Sequence, residues 1–253
     1  MLNFAYLIVG DGRLARHLRF YFDSLAIPYV SWHRNVHTPE LFQTLAKQST
    51  RILLAISDKA IESFIFSHPE IEKSKWVHLS GALSLPGIYS AHPLGSFGEK
   101  LNPIEWYRNI FFVVEQQAGL PEVAFSSLLP NLPNPHAAIT SQNKAYYHSL
   151  CVLSNNFSTI LFQKLFLGLE RELGIPKEAA YSYLRQTVFN LENTASPLTG
   201  PLVRKDKETI EKNLHALKVR QDAFADIYQA FVALSKKITI NNLYHTGKIH
   251  EHS

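Results

Sequence analysis

Gly10-Asp11-Gly12-Arg13-Leu14-Ala15 has the form G-x-G-x-x-A, follows the apolar run Phe4–Val9 directly and opens a helix-length segment. In that setting each small residue has a mechanical use. Gly10 permits a tight turn, Gly12 lets a pyrophosphate approach the backbone, and Ala15 lets a helix pack closely on a strand. The free N–H groups and positive end of that helix then face phosphate oxygens. The pattern points to a dinucleotide site built from Gly10, Gly12, Arg13, Leu14 and Ala15; its bland alternative is a glycine turn of structural use only. A site that prefers NAD carries a carboxylate about 20 residues further on to hold the ribose hydroxyls. Here that window reads Val30-Ser31-Trp32-His33-Arg34, with no carboxylate before Glu40. Arg34 instead offers a guanidinium fork suited to a 2′-phosphate, and Arg13 is placed to share the task, so NADP is expected over NAD.

Ligands in open parallel sheets lie beyond the carboxyl ends of the strands. Ser57, after the third apolar run, is therefore expected at the cofactor, and Ser80, after the fourth, at the reacting end. Hydride transfer asks the protein for positioning and for a group that exchanges a proton with the substrate oxygen. Two places offer one. His92, in Ala91-His92-Pro93-Leu94, has an imidazole that titrates near neutrality, stiffened by the proline after it. Lys144, His148, Cys151 and Asn155 recur at i, i+4, i+7 and i+11, which sets them on one face of a helix over three turns. Polar groups on an otherwise apolar helix are costly to bury without partners, so this face is expected to line a cleft. Lys144 would donate the proton and Asn155 orient the substrate; the alternative is an exposed Lys144 and a satisfied core amide. Cys151 reads as a small buried residue rather than a nucleophile.

These groups need a scaffold, and the first 115 residues supply its rhythm. Phe4–Val9, Tyr29–Trp32, Ile52–Ile56, Trp76–Leu79 and Ile110–Val114 read as strands, with helices near Leu14–Leu25, Pro39–Lys47 and Lys59–Ser67 between them. That alternation predicts parallel βαβ units. Prolines 121, 130, 133 and 135 then break the pattern, and beyond Ser141 every signal is helical. The expected fold is α/β: a doubly wound, mainly parallel N-terminal domain over 1–139 and an all-α domain over 140–253. The segment from Lys144 to Leu169 is apolar nearly all round and predicts a helix buried on most sides, for which we expect a homodimer interface in the helical domain. Between helices, Thr199-Gly200-Pro201 reads as a turn and Asp206 as the cap of the helix beginning near Lys207, while Arg204 is free to grip an acidic substrate or a partner subunit.

Composition narrows the rest. The chain has 253 residues, 46% hydrophobic and 18% charged, and a net charge of +4. No block of like charges marks a nucleic-acid footprint. The single cysteine closes no internal disulfide, and no Cys or His set has metal-ligand spacing. No stretch approaches 18 apolar residues without Pro, Ser or Asn, so no membrane span is expected, and a cytoplasmic location follows.

Together Val9–Ala15, His78-Leu79-Ser80-Gly81-Ala82-Leu83, His92-Pro93-Leu94, Tyr147-His148 with Ser154-Asn155, and Thr199–Arg204 resemble the bacterial DUF2520 family of Rossmann-like proteins over nearly the whole chain. That family is similar to reductases with a 6-phosphogluconate-dehydrogenase-like second domain, among them pyrroline-5-carboxylate reductase, ketopantoate reductase and prephenate dehydrogenase. The resemblance implies a Rossmann domain, a helical domain that dimerises, and NADP-dependent oxidoreduction of an unassigned substrate. His92-Pro93 is similar to the His-Pro of prephenate dehydrogenases, and Ser80 lies where those enzymes place an active-site serine. Lys144 is similar to the lysine opening the second domain in ketopantoate reductases, although His148 stands where those carry asparagine. Lys205 and Asn213 stand where the resemblance leads one to expect glycine and histidine. The expected activity is reduction or oxidation of a small, anionic carbonyl or hydroxy compound in a cleft between the domains, handled by Lys144, His92, Ser80, His148 and Asn155. The alternatives are a non-catalytic NADP(H) sensor or scaffold and a prephenate dehydrogenase proper.

Overall fold

The computed structural model describes residues 4–237. The chain divides into two compact units, Met1–Ile160 and Leu161–Ser253. In the first, strands β1 (Phe4–Val9), β2 (Tyr29–Trp32), β3 (Ser49–Leu54), β4 (Trp76–His78), β5 (Tyr89–Leu94), β6 (Phe111–Gln116) and β7 (His136–Thr140) form one sheet, ordered β2-β1-β3-β4-β5-β6-β7. All neighbours pair in parallel except β5 with β6. Tyr6 to Val9 and Ile52 to Leu54 are buried on both faces, as continuous apolar runs in a covered parallel sheet must be.

The helices that cover it are α1 (Arg13–Ser24), α2 (Pro39–Gln48) and α3 (Asp58–Phe66), with two short ones, α4 (Ile104–Arg108) and α5 (Phe125–Leu128). One core layer gathers Leu18, Tyr21 and Phe22 of α1 with Tyr6, Leu53, Tyr107 and Leu128. The opposite layer gathers Phe42 and Ala46 of α2 and Ile61 and Ile65 of α3 around Leu7, Ile52 and Trp76. Helix α2 starts where its sequence says it should: Thr38 accepts from Leu41 N at 3.3 Å, and Pro39 fills the first turn.

Both strands absent from the sequence reading lie late in the sheet. β5 contains Pro93, which weighs against a strand, and β7 is alanine-rich and follows Pro135. The two short helices were also unsignalled.

After β7 come α6 (Ser141–Cys151), a π-helical turn (Val152–Phe157), α7 (Ser158–Leu167) and a second π-helical turn (Gly168–Glu172). This is one continuous helix of 32 residues. Within the single chain the helix is not covered on most sides: Leu150, Leu153, Phe157, Ile160, Leu161 and Leu167 are all exposed. An 18-residue window within it has a mean hydropathy of 1.2, so by length and composition only it is long and apolar enough to cross a membrane. Its scattered Ser, Asn and Lys residues do not dilute the apolar content enough to exclude it on that count.

In the second unit, α8 (Tyr181–Asn193), α9 (Pro201–Arg204), α10 (Lys207–Val219) and α11 (Phe224–Lys237) follow. Asp206 caps α10 as expected, accepting from Thr209 N at 3.1 Å. Arg204 ends the short α9, and Lys205 takes a left-handed conformation with φ 55°.

Candidate functional site

The β1–α1 turn is shaped by Gly10, whose φ of +123° suits glycine and whose added Cβ would collide with the carbonyl oxygen of Ala55 on the neighbouring strand. Gly12 differs: a Cβ there would meet nothing within 4 Å, so its bareness serves open space. Helix α1 starts at Gly12 with no capping side chain and no acidic residue in its first turn, leaving its N–H groups to a ligand. Asp11, the one acid of the turn, is held by Arg19 at 2.8 Å.

A cavity of about 870 Å³ opens at this turn. Gly10, Gly12, Arg13, Leu14, Arg34 and Ser57 all line it, and Ala15 is buried behind it. Two guanidinium groups, an uncapped helix end and a roomy glycine turn fit a phosphorylated dinucleotide. Those six residues are the ones that would hold it.

A second cavity, of about 340 Å³, is lined by His92, Leu94, His148, Cys151, Val152 and Ser154. Gly95, Ser96, Asn155 and Asn156 line both cavities, so the nucleotide crevice opens into the second space past these four residues. His92 Nδ1 is 2.7 Å from the Tyr147 hydroxyl. Burial, then the adjacent His148 and Lys144, push the His92 pKa from 6.5 down to about 4, so the ring is neutral near pH 7. Burial also raises the Tyr147 phenol well above its usual range, keeping it protonated.

Gly81 makes the room between the two imidazoles. A Cβ on it would stand 2.6 Å from His148 Nδ1 and 3.0 Å from His92 Nε2. The two nitrogens thus lie no farther apart than the sum of those distances. His148 Nδ1 is buried and has no partner among the described residues.

The helical face foreseen as a unit divides. His148, Cys151 and Asn155 line the second cavity, but the Lys144 side chain is only 3% exposed and points into the sheet. Its Nζ donates to Glu115 Oε2 on β6 at 2.6 Å and to Ser90 Oγ on β5 at 2.5 Å. Burial lowers the Lys144 pKa against the opposing pull of Glu115. Burial alone would raise the Glu115 pKa, but hydrogen bonds from Lys144 and Ser84 outweigh it and hold the carboxyl below its usual range. Ser80 lines neither cavity: its hydroxyl donates to Asp58 Oδ2 at 2.6 Å and accepts from Ala82 N and Leu83 N.

Four participants escaped the sequence reading. Glu115 had a signal, a lone carboxylate directly after the apolar run Phe111–Val114, which a buried cation must balance. Ser96 and Asn156 had none, since their places depend on strand β5 and on the π-helical turn, and Tyr147 stood only among the residues of the family resemblance.

The family described as Domain of unknown function (DUF2520) matches residues 110–236, half of the chain. The chain belongs to the DUF2520 family. No curated protein matches it. Among solved structures, this DUF2520 protein is similar to one from Bacteroides fragilis provisionally described as an NADP oxidoreductase, with a TM-score of 0.68, 16% identity and coverage of 95% and 98% of the two chains. A protein of Thermotoga maritima matches with a TM-score of 0.66 and 22% identity over 94% and 98%. A reductive aminase from Aspergillus terreus in complex with NADPH matches with a TM-score of 0.62 and 11% identity over 93% of each chain. At these identities the likeness carries the fold, which is the Rossmann type with a helical C-terminal region.

Proposed function

We propose that this DUF2520 protein is an NADP-dependent oxidoreductase that acts on a small carbonyl or hydroxy compound. One observation carries the reading: the glycine-turn crevice adjoins a smaller cavity lined by His92 and His148, the two sharing Gly95, Ser96, Asn155 and Asn156. Solved relatives of the same fold, described with NADP or NADPH, support the choice of cofactor. A sensor needs the first cavity alone, so the second favours turnover.

Bound NADPH would supply the hydride. The chain's part is to hold the substrate oxygen and manage its proton. Tyr147 anchors His92 through Nδ1, which leaves Nε2 turned to the space above Gly81. A substrate oxygen in the second cavity, which His92 and His148 both line, would accept a hydrogen bond from a ring nitrogen that carries a proton, or give its own proton to one that does not. A neutral imidazole suits both polarisation of a carbonyl and acceptance of a hydroxyl proton. Lys144, spent on Glu115 and Ser90, supports the helix carrying His148 and does not reach this space. No arginine or lysine lines the second cavity, so the charge of an anionic substrate would be held by residues outside that lining.

The exposed apolar face of the long helix is the proposed homodimer contact. A second copy suits it better than lipid, because Lys144 ties the start of the helix to a sheet and Lys164 pairs with Asp222 at 2.5 Å further along.

Fluorescence titration with NADPH and NADH tests the cofactor reading. NADPH should bind at least tenfold more tightly, and Arg34→Ala should remove most of that preference. Absence of binding by either coenzyme at millimolar concentration would falsify the reading.

A further inference from the structure

Adjacent residues of an α-helix point about 100° apart, so two neighbours rarely serve one small space. Asn155 and Asn156 nevertheless both line both cavities, together with Gly95 and Ser96. They sit in the π-helical turn Val152–Phe157, whose wider winding changes the direction of side chains within an otherwise α-helical rod. Such turns are rare and recur at functional sites.

The two carboxamides are joined to each other. Asn155 Nδ2 donates to Asn156 Oδ1 at 3.3 Å. That bond leaves the Asn155 carbonyl oxygen and the Asn156 amino group without a side-chain hydrogen-bond partner among the described residues, on two neighbours that line both cavities. A primary carboxamide has the matching pair, an amino group to donate and a carbonyl oxygen to accept.

We propose that the π-helical turn is a carboxamide reader, in which Asn156 donates to the carbonyl oxygen of the nicotinamide carboxamide and Asn155 accepts from its amino group. This rests on the dinucleotide reading above and adds to it the residues that fix the nicotinamide ring at the mouth of the second cavity. Held by two hydrogen bonds, the ring cannot turn over about its glycosidic bond without losing both. Asn156 is therefore a binding residue that also fixes which face of the ring meets the substrate.

The test compares two probes, NADPH and 2′,5′-ADP, which shares the adenosine and 2′-phosphate but has no nicotinamide. Calorimetric titration of Asn156→Ala should show NADPH weakened by roughly five- to tenfold, the size of one or two hydrogen bonds. Binding of 2′,5′-ADP should stay within twofold of the unaltered protein. Asn156→Asp, which replaces the donor by an acceptor, should weaken NADPH further and again spare 2′,5′-ADP. Unchanged NADPH affinity in both variants overturns the proposal, and so does parallel loss of both probes, which would make Asn156 a support of the turn. Failure of the unaltered protein to bind either probe removes the dinucleotide reading itself, and is seen before any variant is made.

Discussion

His92 stays neutral because its surroundings penalise a charge, and that penalty is also a statement about stability. Unfolding returns the ring to water and its pKa from about 4 to 6.5. Between those values the unfolded chain takes up a proton that the folded chain refuses, so the folded state is favoured in full above pH 6.5 and loses ground as pH falls toward 4. The slope is up to about 1.4 kcal/mol per pH unit for one such group. His78, fully buried on β4 with both ring nitrogens lacking partners among the described residues, adds a similar slope from 6.5 toward about 3. Urea denaturation at intervals from pH 4.5 to 8 should therefore show stability rising with pH, and His92→Gln should flatten that rise by about one proton. An identical slope in the variant would place the proton elsewhere. Catalysis, by the same logic, should show no inflection near pH 6.5 from His92.

Helix α6 is joined to the sheet by a buried charge pair, and this is where reading the sequence reached its limit. Spacing put Lys144 on the face of His148 and Asn155, and a period of 3.6 cannot reveal that a carboxylate waits on β6 to draw the ammonium into the sheet. The strands with clean apolar runs, β1 to β4 and β6, were legible, as were the glycine turn and Arg34. β5 was hidden by Pro93 and β7 by its alanines, so the strand that carries His92 went unseen although His92 itself was singled out. The pair has a measurable signature. Lys144→Met would strand the Glu115 carboxylate in the interior and should cost about 3 to 5 kcal/mol in denaturant. Lys144→Met combined with Glu115→Leu should recover most of that loss, since removing both charges removes the unpaired one. Because Glu115 titrates below its usual range, its contribution is present above pH 4.5 and disappears on acidification below it. A double variant no more stable than Lys144→Met would mean that the two side chains do not share one energy.

At the scale of the whole molecule, the open question is what covers the long helix. Rows of large apolar side chains are seldom left in water without use, and this helix leaves Leu150, Leu153, Phe157, Ile160 and Leu161 exposed within four turns. A bilayer would accept the apolar residues but not the carboxamides of Asn155 and Asn156 or the ammonium of Lys164, each costly to move into hydrocarbon. A second copy accepts both, since an interface has an apolar centre and a polar rim. Light scattering coupled to gel filtration should therefore give twice the chain mass of 28.8 kDa. The double variant Phe157→Asp/Ile160→Asp should elute as a folded single chain or at least dissociate at concentrations where the unaltered protein does not. A single-chain mass for the unaltered protein would leave the face unclaimed by its own kind, and partitioning into detergent would assign it to lipid instead. Because the same helix carries Asn155, Asn156 and His148, a variant with this face disrupted should also bind NADPH less tightly than the unaltered protein, linking assembly to the cofactor site through one continuous element.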